Sequence, residues 1–180
     1  MAGEPKIARI EVRLRELPQL FNSLDPSPFI DRDLDTDAEE FILSWAREHA
    51  KDRELELTLH LATAPSPERV AGTEAAVRHY FSARAEIKRA EFRQLMKRGR
   101  ISLFIGLLFL AACLFLSEMI AKVGYDSAAG IVRESLTIGG WVAMWRPLEI
   151  YLYDWWPLRD ELRLVERLAR MHVRLILPQT

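Results

Sequence analysis

Arg146 and Glu149 stand three residues apart in apolar surroundings, SLTIGGWVAMW before them and IYLY after, and Glu118 lies at the end of a second apolar run. Ionised groups inside hydrocarbon are costly, so they persist where they pair, reach water or move charge. A three-residue spacing is that of an ion pair on one helix face. Two chemistries follow. One is a structural pair near a membrane surface, snorkelling towards water. The other is an ion or proton path that also uses Glu118. Two spans are too few to enclose a path, so the second requires a homo-oligomer.

A second cluster is acidic. Asp31, Asp33, Asp35, Asp37, Glu39 and Glu40 surround the single Arg32, just after the double-proline turn LDPSPF. Alternate aspartates suggest a calcium loop, but counting from Asp31 the sixth position is Thr36 rather than Gly and the twelfth is Ile42 rather than Glu. The template fails. The acids read as a solvated helix N-terminus, with a docking surface for a basic partner, or for the chain's own Arg84–Arg100 stretch, as the alternative.

Other chemistry finds no foothold. The chain has no Gly-rich phosphate loop, no GxSxG and no HExxH. His49, His60, His79 and His172 lack ligand spacing, and the lone Cys113 sits in an apolar run that disfavours a thiolate. Arg9, Arg13 and Arg15 share a strand face without stacking aromatics, so nucleic acid is not expected. The expectation is a protein that is not an enzyme and holds no metal and no cofactor.

The elements that carry these residues are of two kinds. Ile101 to Ser117 is seventeen residues without a charge. Extended to residue 121, it gives a helix of about 31 Å, enough for a ~30 Å hydrocarbon core. Residues 135–154 form a second candidate span, provided Arg146 and Glu149 are tolerated; a re-entrant loop and an interfacial helix are its competitors. Tyr151, Tyr153, Trp155 and Trp156 supply an interfacial aromatic belt. Residues 122–134 are then a short external linker.

Small residues suggest how the spans meet. Ser102, Gly106, Cys113 and Ser117 share one helical face, as do Ser135, Gly139 and Ala143 with Arg146. Facing each other, these stripes place Arg146 at the seam, where Pro147 adds a kink.

Charge sets the threading. Arg84 to Arg100 holds seven basic residues against two acidic ones, and Arg159, Arg163, Arg167, Arg170 and Arg174 follow the second segment. The positive-inside rule therefore places both termini in the cytoplasm. Arg84–Arg100 is also a candidate for anionic lipid headgroups, against the plainer reading of a topology signal. The N-terminal text MAGEPKIARIEVRLREL has no apolar core, so no signal peptide is expected.

The remainder reads as a small α/β domain formed from both chain ends, with two or three strands and two or three helices. Over 1–65, Ile10, Val12 and Leu14 alternate with charge, as do Leu55, Leu57, Leu59 and Leu61. Thr36 and Glu39 have capping-box spacing ahead of a helix with Ala38, Phe41, Ile42 and Trp45 on its apolar stripe. This βαβ-like unit implies parallel strands. Residues 66–100 form a helix running into the first span. Residues 155–180 add an amphipathic helix through Leu158, Leu162, Val165 and Leu168, and a closing strand at Val173, Leu175 and Leu177. With 28% charged residues, 49% hydrophobic ones and a single cysteine, wholesale disorder and a disulfide framework are excluded.

The strings LFNSLDPSPF, RDLDTDAEEFILSWARE, EFRQLMKRGRISLFIGLLFLA and RESLTIGGWVAMWRPLEIYLYDWWPLR resemble an uncharacterised family of small two-span bacterial inner-membrane proteins. The resemblance implies an inner-membrane setting and carries no catalytic residues. The sequence thus predicts an α+β membrane protein: a two-helix transmembrane hairpin with a small cytoplasmic α/β domain. Its expected role is an adaptor or accessory subunit whose partners are the lipid bilayer and another protein. A homo-oligomeric ion or small-solute pathway is the alternative, and a membrane-bound enzyme the third.

Overall fold

Alternation of apolar and charged residues builds the sheet. The computed structural model describes residues 7–49, 53–123 and 127–177. Its elements are β1 (Ala8–Leu14), two 3-10 turns, α1 (Thr36–His49), β2 (Leu55–Leu61), α2 (Pro67–Val123), α3 (Ser127–Ala143), α4 (Trp145–Glu149), a π turn (Ile150–Asp154), α5 (Trp155–Leu168) and β3 (His172–Ile176). The molecule is a mixed helix and sheet structure in two compact units, one of residues 1–89 with 160–180 and one of residues 90–159.

In the first unit the strands are parallel in the order β1-β2-β3. Ile10 lies beside Leu57, and Leu57 beside Val173. The central strand is covered on its polar face too: Glu56 and Thr58 are buried. A buried carboxylate needs a counter-charge. Arg9 (3.4 Å) and Arg174 (3.8 Å) supply it from the two flanking strands. On the other face Ile10, Leu57 and Leu59 join Ile42, Val77, Phe81 and Leu168 in one fully buried core.

Two expectations about α1 are corrected. The cap is Asp35, not Thr36: the Asp37 N–H donates to Asp35 Oδ1 (3.0 Å) and the Glu39 N–H to the Asp35 carbonyl (2.9 Å). Aspartate accepts at a helix start as well as threonine does, so the box spacing misled by one residue. Glu39 is thereby free to hold Arg84 at 3.1 Å. On the stripe, Phe41 is exposed, while Ile42 and Ala46 are buried with Ala38, Leu43 and Trp45 half-buried beside them.

The second unit departs further from expectation. The two-helix hairpin is not present as two discrete spans. α2 is a single helix of 57 residues that begins in the first unit, as the uninterrupted helical text after Pro67 predicts. The second segment is broken: Met144 N–H bonds to the Trp141 carbonyl (3.0 Å), α4 starts at Trp145, and a π turn follows. Pro147 has no N–H to offer the Ala143 carbonyl, which accounts for the break. The stretch read as a linker over 122–134 is helical from Ser127; residues 124–126 lie outside the described part. Its poverty in charge is not a helix stop, and the alanines favour helix. The two units meet at 89/90 and 159/160, both inside helices.

The acidic loop before α1 carries a titrating anchor. Asp25 accepts the backbone N–H of Asp33 (2.8 Å) and of Ser27 (2.9 Å). These bonds, that from Asp33 foremost, lower its pKa from 3.8 to about 2. Because the folded value is the lower one, the stabilisation is complete above 3.8 and fades as pH falls through about 2. An NMR acid titration of the Asp25 carboxyl carbon should give a midpoint near 2 in the folded chain; a midpoint near 3.8 would show that the loop does not hold these contacts.

Candidate functional site

The buried hydrophobic cluster lies wholly in the first unit. The second unit wears its apolar residues outside. Of 27 large hydrophobic side chains exposed among the described residues, 20 lie between Ile101 and Trp156. Among those residues one helix, α2, is long and apolar enough to cross a membrane. Only 17% of its most apolar stretch is buried. A core helix of the same composition would be mostly covered.

What is buried in this unit is a seam of small residues. A Cβ on Gly140 would meet Leu110 Cδ1 at 2.8 Å and Cys113 Cβ at 3.2 Å. One on Gly106 would meet Met144 Sδ at 3.1 Å and the Ala143 carbonyl at 3.2 Å; one on Gly99 would meet Ile150 Cγ2 at 3.0 Å. The contacts run in opposite chain directions along the two segments. Glycine permits this approach because nothing projects from its Cα. Of the stripe expected on α2, Gly106, Cys113 and Ser117 are buried and Ser102 is half-buried.

The stripe expected on the second segment is displaced by one residue. Gly140 packs, whereas the Cβ position of Gly139 has nothing within 4 Å. Ser135 is exposed and Ala143 half-buried. Arg146 is exposed rather than at the seam, which Pro147 and Ile150 occupy instead. Two adjacent glycines gave the helical projection two equal choices, and the break at Met144 shifted the phase beyond it.

Arg146 does pair with Glu149, at 2.8 Å. Asp154 lies 4.0 Å from the same guanidinium nitrogen, a third member that the sequence reading missed. The π turn brings it there by inserting extra helical pitch between Glu149 and Trp155. Within that turn the Trp155 indole N–H donates to the Tyr151 carbonyl (2.8 Å), and Arg159 stands 5.4 Å over the Trp155 ring. Glu118 is exposed on α2. Among the described residues it makes no ion pair with Arg146, Glu149 or Asp154.

The acidic cluster of the first unit is largely occupied with its own fold. Asp35 caps α1, the Asp33 backbone binds Asp25, and Asp31 lies 3.6 Å from His79. Glu39 holds Arg84 and accepts from the Tyr80 phenol; burial, then this bond, pushes that phenol well above its ordinary value. Asp37 and Glu40 point to solvent. The Glu39–Arg84 pair is the internal acid-to-base docking weighed above, confined to the first arginine of the basic stretch.

No family model, curated protein or solved structure matches the chain.

The two neighbouring glycines make a discriminating pair. Gly139→Ala should be neutral or stabilising by up to about 1 kcal/mol, since a methyl there enters open space and favours helix. Gly140→Leu should cost about 1–3 kcal/mol through overpacking against Leu110 and Cys113. Thermal unfolding of the two variants, each against the parent chain, reads the difference. Equal effects would place the seam elsewhere.

Proposed function

We propose that the protein is a membrane-anchored adaptor or accessory subunit of a bacterial inner membrane, with the apolar parts of α2 and the α3–α5 segment as a two-span anchor. The observation that carries this reading is the contrast between a fully packed α/β unit and a neighbouring unit that leaves 20 large hydrophobic side chains uncovered. Apolar patches of that extent mark lipid or partner surfaces. The basic residues flanking both segments favour cytoplasmic termini. Tyr151, Tyr153, Trp155 and Trp156 fit the interfacial level. The α/β unit is then the part that meets another protein from the cytoplasm.

The homo-oligomeric pathway is the second reading, resting on the Arg146, Glu149 and Asp154 cluster. Local pairing of this kind suits a structural role better, since each charge is already neutralised within its own segment.

Gentle extraction from native membranes followed by native mass spectrometry tests both. The adaptor reading expects the protein to resist carbonate stripping and to carry a reproducible foreign subunit. A lone monomer under every mild condition would end it. A closed homo-oligomer alone would favour the pathway, in which case Arg146→Ala and Glu149→Ala should abolish flux in liposomes.

A further inference from the structure

A groove of about 470 Å³ runs beside the seam in the second unit. Its volume is within the ~300–1,000 Å³ of small-molecule sites. Ile101, Ile105 and Phe109 form one wall, and Gly106 and Ala143 line it where the two segments approach. Arg98 is its one charged lining residue. Arg98, Ile101, Ile105 and Phe109 fall at i, i+3, i+7 and i+11, hence on one face of α2 over about 16 Å. The groove therefore has one cationic end and an uncharged body.

Arg98 forms no ion pair or hydrogen bond among the described residues. The cation of the opposite segment, Arg146, has two carboxylates of its own. The groove thus offers a cation at one end and an apolar wall along its length. That combination suits an anionic amphiphile. We infer that it holds a single anionic phospholipid, its phosphate on Arg98 and an acyl chain along Ile101, Ile105 and Phe109. The inference rests on the membrane reading above.

A second copy of the chain is the poorer occupant. Two copies in the same membrane orientation, related by a twofold axis along the bilayer normal, present each Arg98 at the depth of its mate. Like charges facing each other across an apolar contact oppose association. A lipid phosphate instead supplies the missing charge.

The test uses the full-length protein in nanodiscs of equal phosphatidylglycerol and phosphatidylcholine, with bound lipid counted by native mass spectrometry after release. The parent chain should retain phosphatidylglycerol about fivefold over phosphatidylcholine, the effect of one basic residue at a membrane surface. Arg98→Gln should erase the preference, Arg98→Lys should keep it, and Phe109→Ala should lower retention of both lipids. Arg100→Gln, which alters a basic residue outside the groove lining, should leave the preference intact. Equal retention of the two lipids by the parent chain would overturn the proposal. So would an equal loss with Arg100→Gln, which would mean diffuse surface charge. Displacement of the lipid by soluble glycerol phosphate would also overturn it, assigning Arg98 to a free phosphate. Carbonate extraction separates the two levels: a stripped protein defeats the membrane reading, and a retained protein without lipid selection defeats only the groove.

Discussion

A parallel strand cannot follow its neighbour through a tight turn, and the whole chain is arranged around that constraint. β1 reaches β2 through α1. β2 reaches β3 only after residues 62–171, which include all of the second unit. The core needs that return. Leu164, Val165 and Leu168 of α5 and Val173 of β3 are buried in the same cluster as Ile10 and Leu57. Until they arrive, β2 has an open edge rich in leucine, and a two-stranded sheet is marginal by itself. Folding of the α/β unit is therefore committed to a non-local contact, the kind that makes folding slow.

The same arrangement divides the hydrophobic residues between two environments. In the first unit they face one another, to the point that central-strand polar residues are buried as well. In the second unit the residues that face inward include Gly99, Gly106, Gly140, Cys113, Ser117, Pro147 and Ile150, and most large apolar ones face out. Where the outer medium is itself apolar, burying bulk inside gains nothing, and close backbone approach becomes the source of cohesion. A seam of Gly99, Gly106 and Gly140 fits the membrane setting proposed above.

Much of this was legible. Period-two alternation located all three strands, and the parallel sense of β1 and β2 followed from the intervening helix. The uncharged run of α2 was equally plain. What failed were choices between near-equal neighbours. Asp35 and Thr36 can both cap, and only the backbone geometry picks Asp35. Gly139 and Gly140 are interchangeable on paper, and Gly140 wins because Leu110 and Cys113 lie opposite it. Asp154 was missed because ideal helical spacing does not place it with Arg146; the π turn does. The helical start at Ser127 is not legible, because a segment poor in charge suits a loop as well as a helix.

The distribution of partners among the charges carries one more step. On the second segment Arg146 is answered by Glu149 and Asp154, so this group closes on itself. In the first unit Arg84, Arg89 and Lys88 are answered by Glu39, Glu166 and Glu161. Arg89 is thereby held above its ordinary pKa, chiefly by the bond to Glu166. Past that point on α2 the pattern changes: Arg93, Lys97, Arg98 and Arg100 have no ion partner among the described residues. From Arg78 onward, α2 thus carries paired cations first and unpaired ones after. The turnover between these two kinds falls within a few residues of α2, just before its apolar run begins. Under the membrane proposal, that is where unpaired charge meets an anionic lipid surface.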